Sequence, residues 1–165
     1  MPNKSTNLMT CVPSIGERNK DAARCDLCGV LNYTICSSLT PDELARFGAS
    51  NRSMHVAEGA TLLHDGDVDR FVFSVTSGCL KSFKQLADGR RQVTGFFFPG
   101  DFIGLIKSDS YIAEVEAVVD SDVCRMLRSD LDMISSEIPN LEHRLHDLTS
   151  IEREEVQGQI VFLGP

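Results

Sequence analysis

Residues 51–127 alternate short, strand-like runs with glycine-containing turns, and this pattern restricts the fold more than any other feature of the chain. The runs are SMHVA, TLLH, RFVFSVT, CLKSFKQL, QVTGFFF, EVEAVV and DVCRML. The turns between them contain Glu58-Gly59, Asp65-Gly66-Asp67, Ser77-Gly78, Asp88-Gly89 and Pro99-Gly100-Asp101. Many short strands at this spacing are typical of a sandwich or a jelly roll. We therefore predict a mainly β domain over residues 51–127.

Helical patterns flank this β region on both sides. Before it, Thr40 is placed as an N-cap, Pro41 as the first helical residue and Glu43 as the capping-box partner. Gly48 is expected to end this short helix. After the β region, RSDLDMISSEI predicts a second short helix, and Pro139 begins a third, longer helical segment.

The long C-terminal segment has apolar residues at helical spacing on an otherwise charged helix. These residues are Leu141, Leu145, Leu148, Val156 and Ile160. Such a stripe requires a partner that removes it from water. The partner is either a second copy of the chain or the β domain of the same chain. We expect a homodimer formed through this helix, weakened by glutamates near the seam.

The 165-residue chain is acidic, with a formal net charge of −8 and a pI of about 4.9. Such a chain does not attract nucleic acid through its overall field. No apolar run reaches the roughly 18 residues of a membrane-spanning helix, and the polar N-terminus has no secretion signal. We therefore expect a cytoplasmic protein. No nucleophile–base set, metal-hydrolase motif or phosphate-binding loop indicates an enzyme.

Three cysteines, Cys25, Cys28 and Cys36, form a C-x2-C-x7-C pattern. In a cytosolic chain, clustered cysteines more often bind metal or act in redox chemistry than form disulfides. Cys11 lies in a segment that we expect to be poorly ordered. The spacing alone leaves Cys79 and Cys124 about equal as the fourth ligand. A structural zinc and unligated, reduced thiols remain alternatives to a cluster.

Several stretches resemble the sensor half of the cyclic-AMP receptor/FNR superfamily of transcription regulators: GCLKSF, GRRQVTGFFFPGDFIG, VCRML and IPNL before a long helix. The C-x2-C-x7-C pattern with one distant cysteine is similar to the FnrN/FixK-like members of the FNR branch. The resemblance covers roughly residues 25–163. It implies a jelly roll (double-stranded β-helix) like a cyclic-nucleotide-binding domain, followed by a long dimerisation helix.

The resemblance also implies a cofactor and its ligands. It assigns a 4Fe-4S cluster to four cysteines: Cys25, Cys28, Cys36 and Cys124. Cys11 and Cys79 are then not ligands. Four nearby apolar residues are expected to limit access of solvent and oxygen: Leu27, Val30, Leu31 and Ile35. In the family, the intact cluster favours the dimer and oxygen destroys the cluster, so the implied function is oxygen or redox sensing.

A cyclic nucleotide is not expected as the ligand. Nucleotide-binding members of the superfamily place an arginine for the phosphate in the segment that corresponds to residues 100–119. This segment has no arginine, and its acidic residues Glu114 and Glu116 would repel a phosphate. Lys107 is the only cation that we expect near it. A small-molecule-binding module of this fold, with a structural zinc or no metal, remains the alternative function.

The predicted organisation has four parts. These are a flexible segment over residues 1–24, a cysteine-rich segment with a short helix over 25–50, the jelly roll over 51–127, and a short helix with a truncated dimerisation helix over 128–165. The resemblance implies a helix-turn-helix domain after the long helix, and no such pattern occurs in this sequence. DNA and RNA polymerase are therefore expected as partners only of a full-length family member.

Overall fold

The computed structural model describes residue 25 and residues 28–162, with the backbone alone for Tyr33 and for residues 151–162. The helices are two short 3-10 helices, Leu31–Tyr33 and Ile35–Ser38, and three α-helices within the described residues: α1 Pro41–Ser50, α2 Arg128–Glu137 and α3 Pro139–Phe162. The strands of this part are β1 Asn51–Val56, β2 Thr61–Leu63, β3 Phe71–Ser77, β4 Leu80–Gln85, β5 Arg91–Phe97, β6 Phe102–Ile103, β7 Glu114–Ala117 and β8 Ser121–Leu127. None of the described helices is long and apolar enough to cross a membrane.

The strands form two antiparallel sheets. Sheet I has the strand order β1-β8-β3-β6, and sheet II has the order β2-β7-β4-β5. Apolar side chains of both sheets meet in one cluster, the inner core, which includes Phe73, Val75, Leu80, Val115 and Val123. The prediction of a mainly β fold with flanking helices is confirmed. Strand β6 was not predicted, because two residues are too few to show a strand period.

The five predicted turns all contain a glycine with positive φ. Gly78 is the most constrained of these glycines. It has a φ of +84°, and a Cβ at this position would lie 2.2 Å from the Ser121 Oγ and 2.6 Å from the Asp120 carbonyl oxygen. Any side chain is therefore excluded by sterics as well as by backbone conformation. This turn places the residues before β4 in contact with the start of β8.

Helix α1 begins as predicted and ends later than predicted. The Thr40 backbone N–H donates to the Glu43 carboxylate at 2.8 Å, and the Thr40 hydroxyl accepts from the Glu43 backbone at 3.4 Å. The prediction that Gly48 ends the helix is wrong. Asn51 instead donates its backbone N–H to the Gly48 carbonyl and its Nδ2 to the Phe47 carbonyl at 3.0 Å. These bonds satisfy the last carbonyls, so no left-handed glycine is needed.

The apolar stripe of α3 packs, in its first half, on its own chain. Leu141 is fully buried, and Leu145 and Leu148 are half-buried against the same cluster, here called the outer core. The outer core also contains Ile35 from the cysteine segment and Ile134 from α2. Leu141 is therefore covered by its own chain and has no surface left for a second copy. Leu145 and Leu148 keep part of their surface exposed, so for them pairing with a second copy stays a prediction. The side chains of the second half of the stripe lie outside the described residues.

Candidate metal centre

Cys124 lies on the central strand of sheet I. Strand β8 pairs with β1 on one side and β3 on the other, and the Cα partners of Cys124 are Ser53 and Ser74. Its neighbour Val123 belongs to the inner core. Because side chains alternate along a strand, Cys124 points to the opposite, outer face of the sheet. A ligand in this position is held by hydrogen-bonded strands on both sides.

The other three cysteines come from the segment that covers this outer face. The Cys28 N–H donates to the Cys25 carbonyl at 3.2 Å, and the Leu31 N–H donates to the Cys28 carbonyl at 3.2 Å. Thr34 begins the next 3-10 helix, and its hydroxyl accepts from the Cys36 backbone N–H at 3.2 Å. Consecutive turns, rather than one long helix, therefore direct these thiols towards the sheet.

One cavity, here called the cysteine cavity, lies between this segment and sheet I. Its lining includes all four cysteines of the implied ligand set: Cys25, Cys28, Cys36 and Cys124. Cys25 and Cys124 are each 6% exposed and pack in one small cluster with Cys28. The remaining walls are mostly apolar, with residues such as Phe47, Val72 and Met126. The structure thus brings residues that are far apart in sequence to one site.

Cys79 lies elsewhere. It is half-buried immediately before β4, its Sγ is 3.7 Å from the Leu80 carbonyl oxygen, and its backbone N–H donates to the Ser121 hydroxyl at 3.1 Å. It does not line the cysteine cavity. Cys11 lies outside the described residues. The geometry therefore separates Cys124 from Cys79, which the spacing alone did not.

The protonation of Cys36 shows what the cavity requires of an occupant. Burial raises the pKa of the Cys36 thiol to about 12, a hydrogen bond with the Thr34 side chain opposes this rise, and the charges of Cys25, Cys28 and Cys124 add to it. Without a cation, the Cys36 thiol therefore stays protonated at neutral pH. A soft metal centre must displace its proton and compensate several thiolate charges in an apolar site.

The donor set fits an iron–sulfur cluster. Four thiols around one mostly apolar cavity are the usual ligands of a 4Fe-4S cluster. Among the described residues, no group of three or more His, Cys, Asp and Glu side chains is placed to hold a single metal ion. In a tetrahedral zinc site, Zn–S bonds of about 2.3 Å would bring the sulfurs to within about 4 Å of one another. A 4Fe-4S cluster would instead be held by the thiolates of Cys25, Cys28, Cys36 and Cys124 and would supply iron that reacts with oxygen.

The apolar residues expected to protect the site have different locations. Val30 and Leu31 line the cysteine cavity, whereas Ile35 belongs to the outer core and Leu27 lies outside the described residues. The sequence reasoning missed three hydroxyl side chains that also line the cavity, Thr34, Ser74 and Thr76. Thr34 two residues before Cys36 is a recognisable side-chain capping signal. The other two could not be found without the strand register.

The segment over residues 100–119 has more cations around it than expected. The Lys107 Nζ lies 3.3 Å from the Asp132 carboxylate, and two further cations, Lys81 and Arg91, lie 3.2 Å and 3.3 Å from the Glu116 carboxylate. The expectation that Lys107 is the only nearby cation is therefore wrong, because sheet II supplies these two and the Arg128 guanidinium donates to the Gly104 and Leu105 carbonyls. Each of these cations already has a carboxylate partner.

Comparison with known proteins identifies the family. Residues 53–137, about half of the chain, match the family model of the cyclic nucleotide-binding domain. The chain is 30% identical over 152 residues to the nitrogen fixation regulation protein FixK of Bradyrhizobium diazoefficiens, covering 92% of this chain and 64% of FixK. The chain belongs to the cyclic AMP receptor/FNR family. It corresponds to the N-terminal, sensor-like half of these transcription regulators.

Other members of the family agree with this assignment. The transcriptional activator protein Anr of Pseudomonas aeruginosa is 30% identical over 147 residues, which is 88% of this chain and 58% of Anr. The structure of FixK2 from Bradyrhizobium japonicum superimposes with a TM-score of 0.63 at 26% identity, covering 69% of this chain and 58% of FixK2. The jelly roll of the cyclic AMP receptor/FNR family is thus confirmed. The chain spans about three fifths of the length of these relatives.

Proposed function

We propose that this chain is the oxygen- or redox-sensing part of an FNR-type regulator and binds a 4Fe-4S cluster through Cys25, Cys28, Cys36 and Cys124. The observation that carries the proposal is the cysteine cavity, which is lined by these four residues and not by Cys79. When bound, the cluster supplies thiolate-held iron that reacts with oxygen and changes its redox state.

The four cysteines that would hold such a cluster come from two different parts of the structure. Cys124 is fixed in the middle of sheet I, whereas the other three ligands come from short turns. Coordination by both parts ties the cysteine segment to the sheet. The apolar walls, with Val30 among the buried residues, restrict water at the site. Restricted solvent access is one of the factors that set the reactivity of such clusters.

A packed connection leads from the site to the long helix. Ile35 and Leu141 are both 0% exposed and belong to the outer core, and Cys36 packs against the same cluster. Helix α3 also packs against the 3-10 helix that contains Cys36. A change in how the cysteine segment is held therefore changes the support of α3. We propose that this connection couples cluster integrity to dimerisation, as a bistable interface biased by a ligand.

The wider partners belong to the same proposal. A homodimer through α3, and DNA and RNA polymerase as partners of a full-length regulator, follow from the family and not from contacts of the described residues. The chain itself has a net charge of −8, which does not favour nucleic acid. We propose a cytoplasmic location and a non-enzymatic role, since the relatives are transcription regulators.

Anaerobic reconstitution with iron and sulfide tests the proposal. We expect a brown protein with about four irons and four sulfides per chain, as for a cluster held by four cysteines. A second sample is incubated with zinc under the same conditions, and its metal and sulfide content is compared with that of the iron-loaded sample. A colourless protein that takes up one zinc per chain and no sulfide would support the alternative, a binding module with a structural metal.

A further inference from the structure

Ser74 is the residue of β3 that lies directly opposite Cys124 of β8. Its neighbours in the strand, Phe73 and Val75, both belong to the inner core. Side chains alternate along a strand, and directly opposed residues of antiparallel strands share a face. The Ser74 side chain therefore points to the outer face of sheet I, as that of Cys124 does. Both residues line the cysteine cavity.

Three other polar side chains of this lining are already hydrogen-bonded within the protein. The Thr34 hydroxyl accepts the Cys36 backbone N–H, and the Thr76 hydroxyl donates to the Asp122 carbonyl at 3.0 Å. Asn51 uses its side-chain amide to end α1. These three groups therefore hold the fold around the cavity.

The Ser74 hydroxyl differs from these groups. It is half-buried, and its side chain forms no hydrogen bond with the part of the chain that the structure describes. The next opposed pair on the same face is Val72 and Met126, which is apolar and belongs to the outer core. A hydroxyl in such surroundings is unfavourable unless it donates to an acceptor. No carboxylate of the described residues lines the cavity, whereas a cluster held there would bring sulfur acceptors into it.

We propose that the Ser74 hydroxyl donates a hydrogen bond to a sulfur of the cluster held in the cysteine cavity and thereby tunes its redox behaviour. This inference rests on the proposed function, since it names a residue that regulates the same site. One-electron reduction adds negative charge to the cluster, and a hydrogen-bond donor at a sulfur stabilises the more negative state. Ser74 therefore raises the reduction potential of the cluster and slows the loss of an electron to oxygen.

Two variants of equal size test the hydroxyl directly. Ser74→Thr keeps the donor and Ser74→Val replaces it with a methyl group, and both β-branched residues suit a strand. Each chain is reconstituted anaerobically with iron and sulfide, and the midpoint potential of its cluster is measured by titration with dithionite. We expect a lower potential in Ser74→Val than in wild type, and a potential close to wild type in Ser74→Thr. A midpoint potential does not depend on the fraction of chains loaded, so partial loading leaves the test intact.

The rate at which the visible absorption of the cluster is lost in air is the second measurement. Ser74→Val should lose it about threefold faster than Ser74→Thr, a factor within the range expected for one hydrogen bond. Ser53→Val is the matched control. Ser53 is the other Cα partner of Cys124, on β1, and does not line the cysteine cavity. This variant should keep the wild-type potential and rate.

The outcomes separate this inference from the proposed function. A wild-type chain that takes up no iron and sulfide would overturn both. Loaded Ser74→Thr and Ser74→Val proteins with equal potentials and equal rates would overturn the role of Ser74 alone, and so would an equal shift in Ser53→Val. If Ser74→Val loses its folded circular-dichroism spectrum, Ser74→Ala replaces it, with the same expected fall in potential relative to Ser74→Thr.

Discussion

Cys124 and Arg125 are neighbours in β8, and their side chains line cavities on opposite faces of sheet I. Cys124 meets the cysteine segment on the outer face, and Arg125 meets Phe71 and Phe73 on the inner face. Strand β8 is hydrogen-bonded to β1 and β3 along this stretch. Strand β8 therefore fixes the positions of these two cavities relative to one another.

Thr34 is expected to support the site through the backbone of Cys36. Its hydroxyl accepts the Cys36 N–H, and the residue is buried. Thr34→Val keeps the shape but removes this acceptor, so the free energy of unfolding should fall by about 1 kcal/mol, as for other lost caps. Thr34→Ser retains the hydroxyl and should retain more of the stability. Urea unfolding of the cluster-free chain measures both variants, and equal losses would contradict a capping role.

Ile35 and Leu141 should be energetically coupled. Both are fully buried in the outer core, one on the cysteine segment and the other on α3. Each single change to Ala should cost about 2–5 kcal/mol. Because the two side chains share one cluster, the double variant should deviate from additivity by about 0.5 kcal/mol or more.

The control for this coupling is Leu80→Ala, a fully buried change in the inner core. Combined with Leu141→Ala, it should give additive losses within about 0.5 kcal/mol. Urea unfolding of all single and double variants gives the comparison. Additive losses of the free energy of unfolding for Ile35→Ala and Leu141→Ala would contradict an energetic coupling between the cysteine segment and α3.

The sequence predicted strongly local features and missed those that depend on long-range pairing. The capping box of Thr40 and the glycine turns were predicted correctly, since each depends on neighbouring residues. The end of α1 was wrong because the side chain of Asn51 replaces the expected glycine. The lining hydroxyl of Ser74 could not be predicted, because its position beside Cys124 follows from the β3–β8 register.

The same reasoning explains the stripe of α3 and the choice between cysteines. A helical period shows that Leu141 is covered, but not whether the covering surface belongs to the same chain. Likewise, spacing could not separate Cys79 from Cys124. In the folded chain Cys79 immediately precedes β4 of sheet II, whereas Cys124 lies on β8 of sheet I. The family resemblance favoured Cys124 before the geometry was known.

His55 should add a small pH-dependent contribution to stability. Its Nδ1 lies 2.9 Å from an Asp122 carboxylate oxygen, and this hydrogen bond raises the pKa of His55 above its ordinary value. A raised folded-state pKa stabilises the protein fully below the unfolded pKa of about 6.5, and the contribution is lost as the pH rises through the folded pKa. The Tm difference between wild type and His55→Gln should therefore be largest under acidic conditions and should vanish at alkaline pH.

Asp122→Asn provides the control for this pH effect. It removes the charged partner of His55, so adding His55→Gln in this background should no longer lower the Tm at acidic pH. Melting curves at several pH values measure all four proteins. A Tm difference that grows with rising pH would have the wrong sign for a histidine stabilised in its charged form.

Assembly should depend on the cluster. Leu141 is already covered by its own domain, whereas Leu145 and Leu148 keep part of their surface exposed. A second copy is then expected to contact this exposed part and the rest of the sequence stripe, so we predict a weak dimer that is tighter with the cluster than without. Ile160→Asp should weaken it, because a charge in an apolar seam is unfavourable. Analytical ultracentrifugation under nitrogen and again after exposure to air tests this, and equal association constants in both states would contradict the coupling.

The ligand set is tested most directly by the iron and sulfide content of two matched variants after anaerobic reconstitution. Cys124→Ser replaces a thiol of the cysteine cavity, and Cys79→Ser replaces a thiol outside it. Soft iron binds a hydroxyl poorly compared with a thiolate. We predict that Cys79→Ser retains the wild-type content of about four irons and four sulfides, and that Cys124→Ser loses most of both. A normal content in Cys124→Ser, with a loss in Cys79→Ser, would contradict the proposed site.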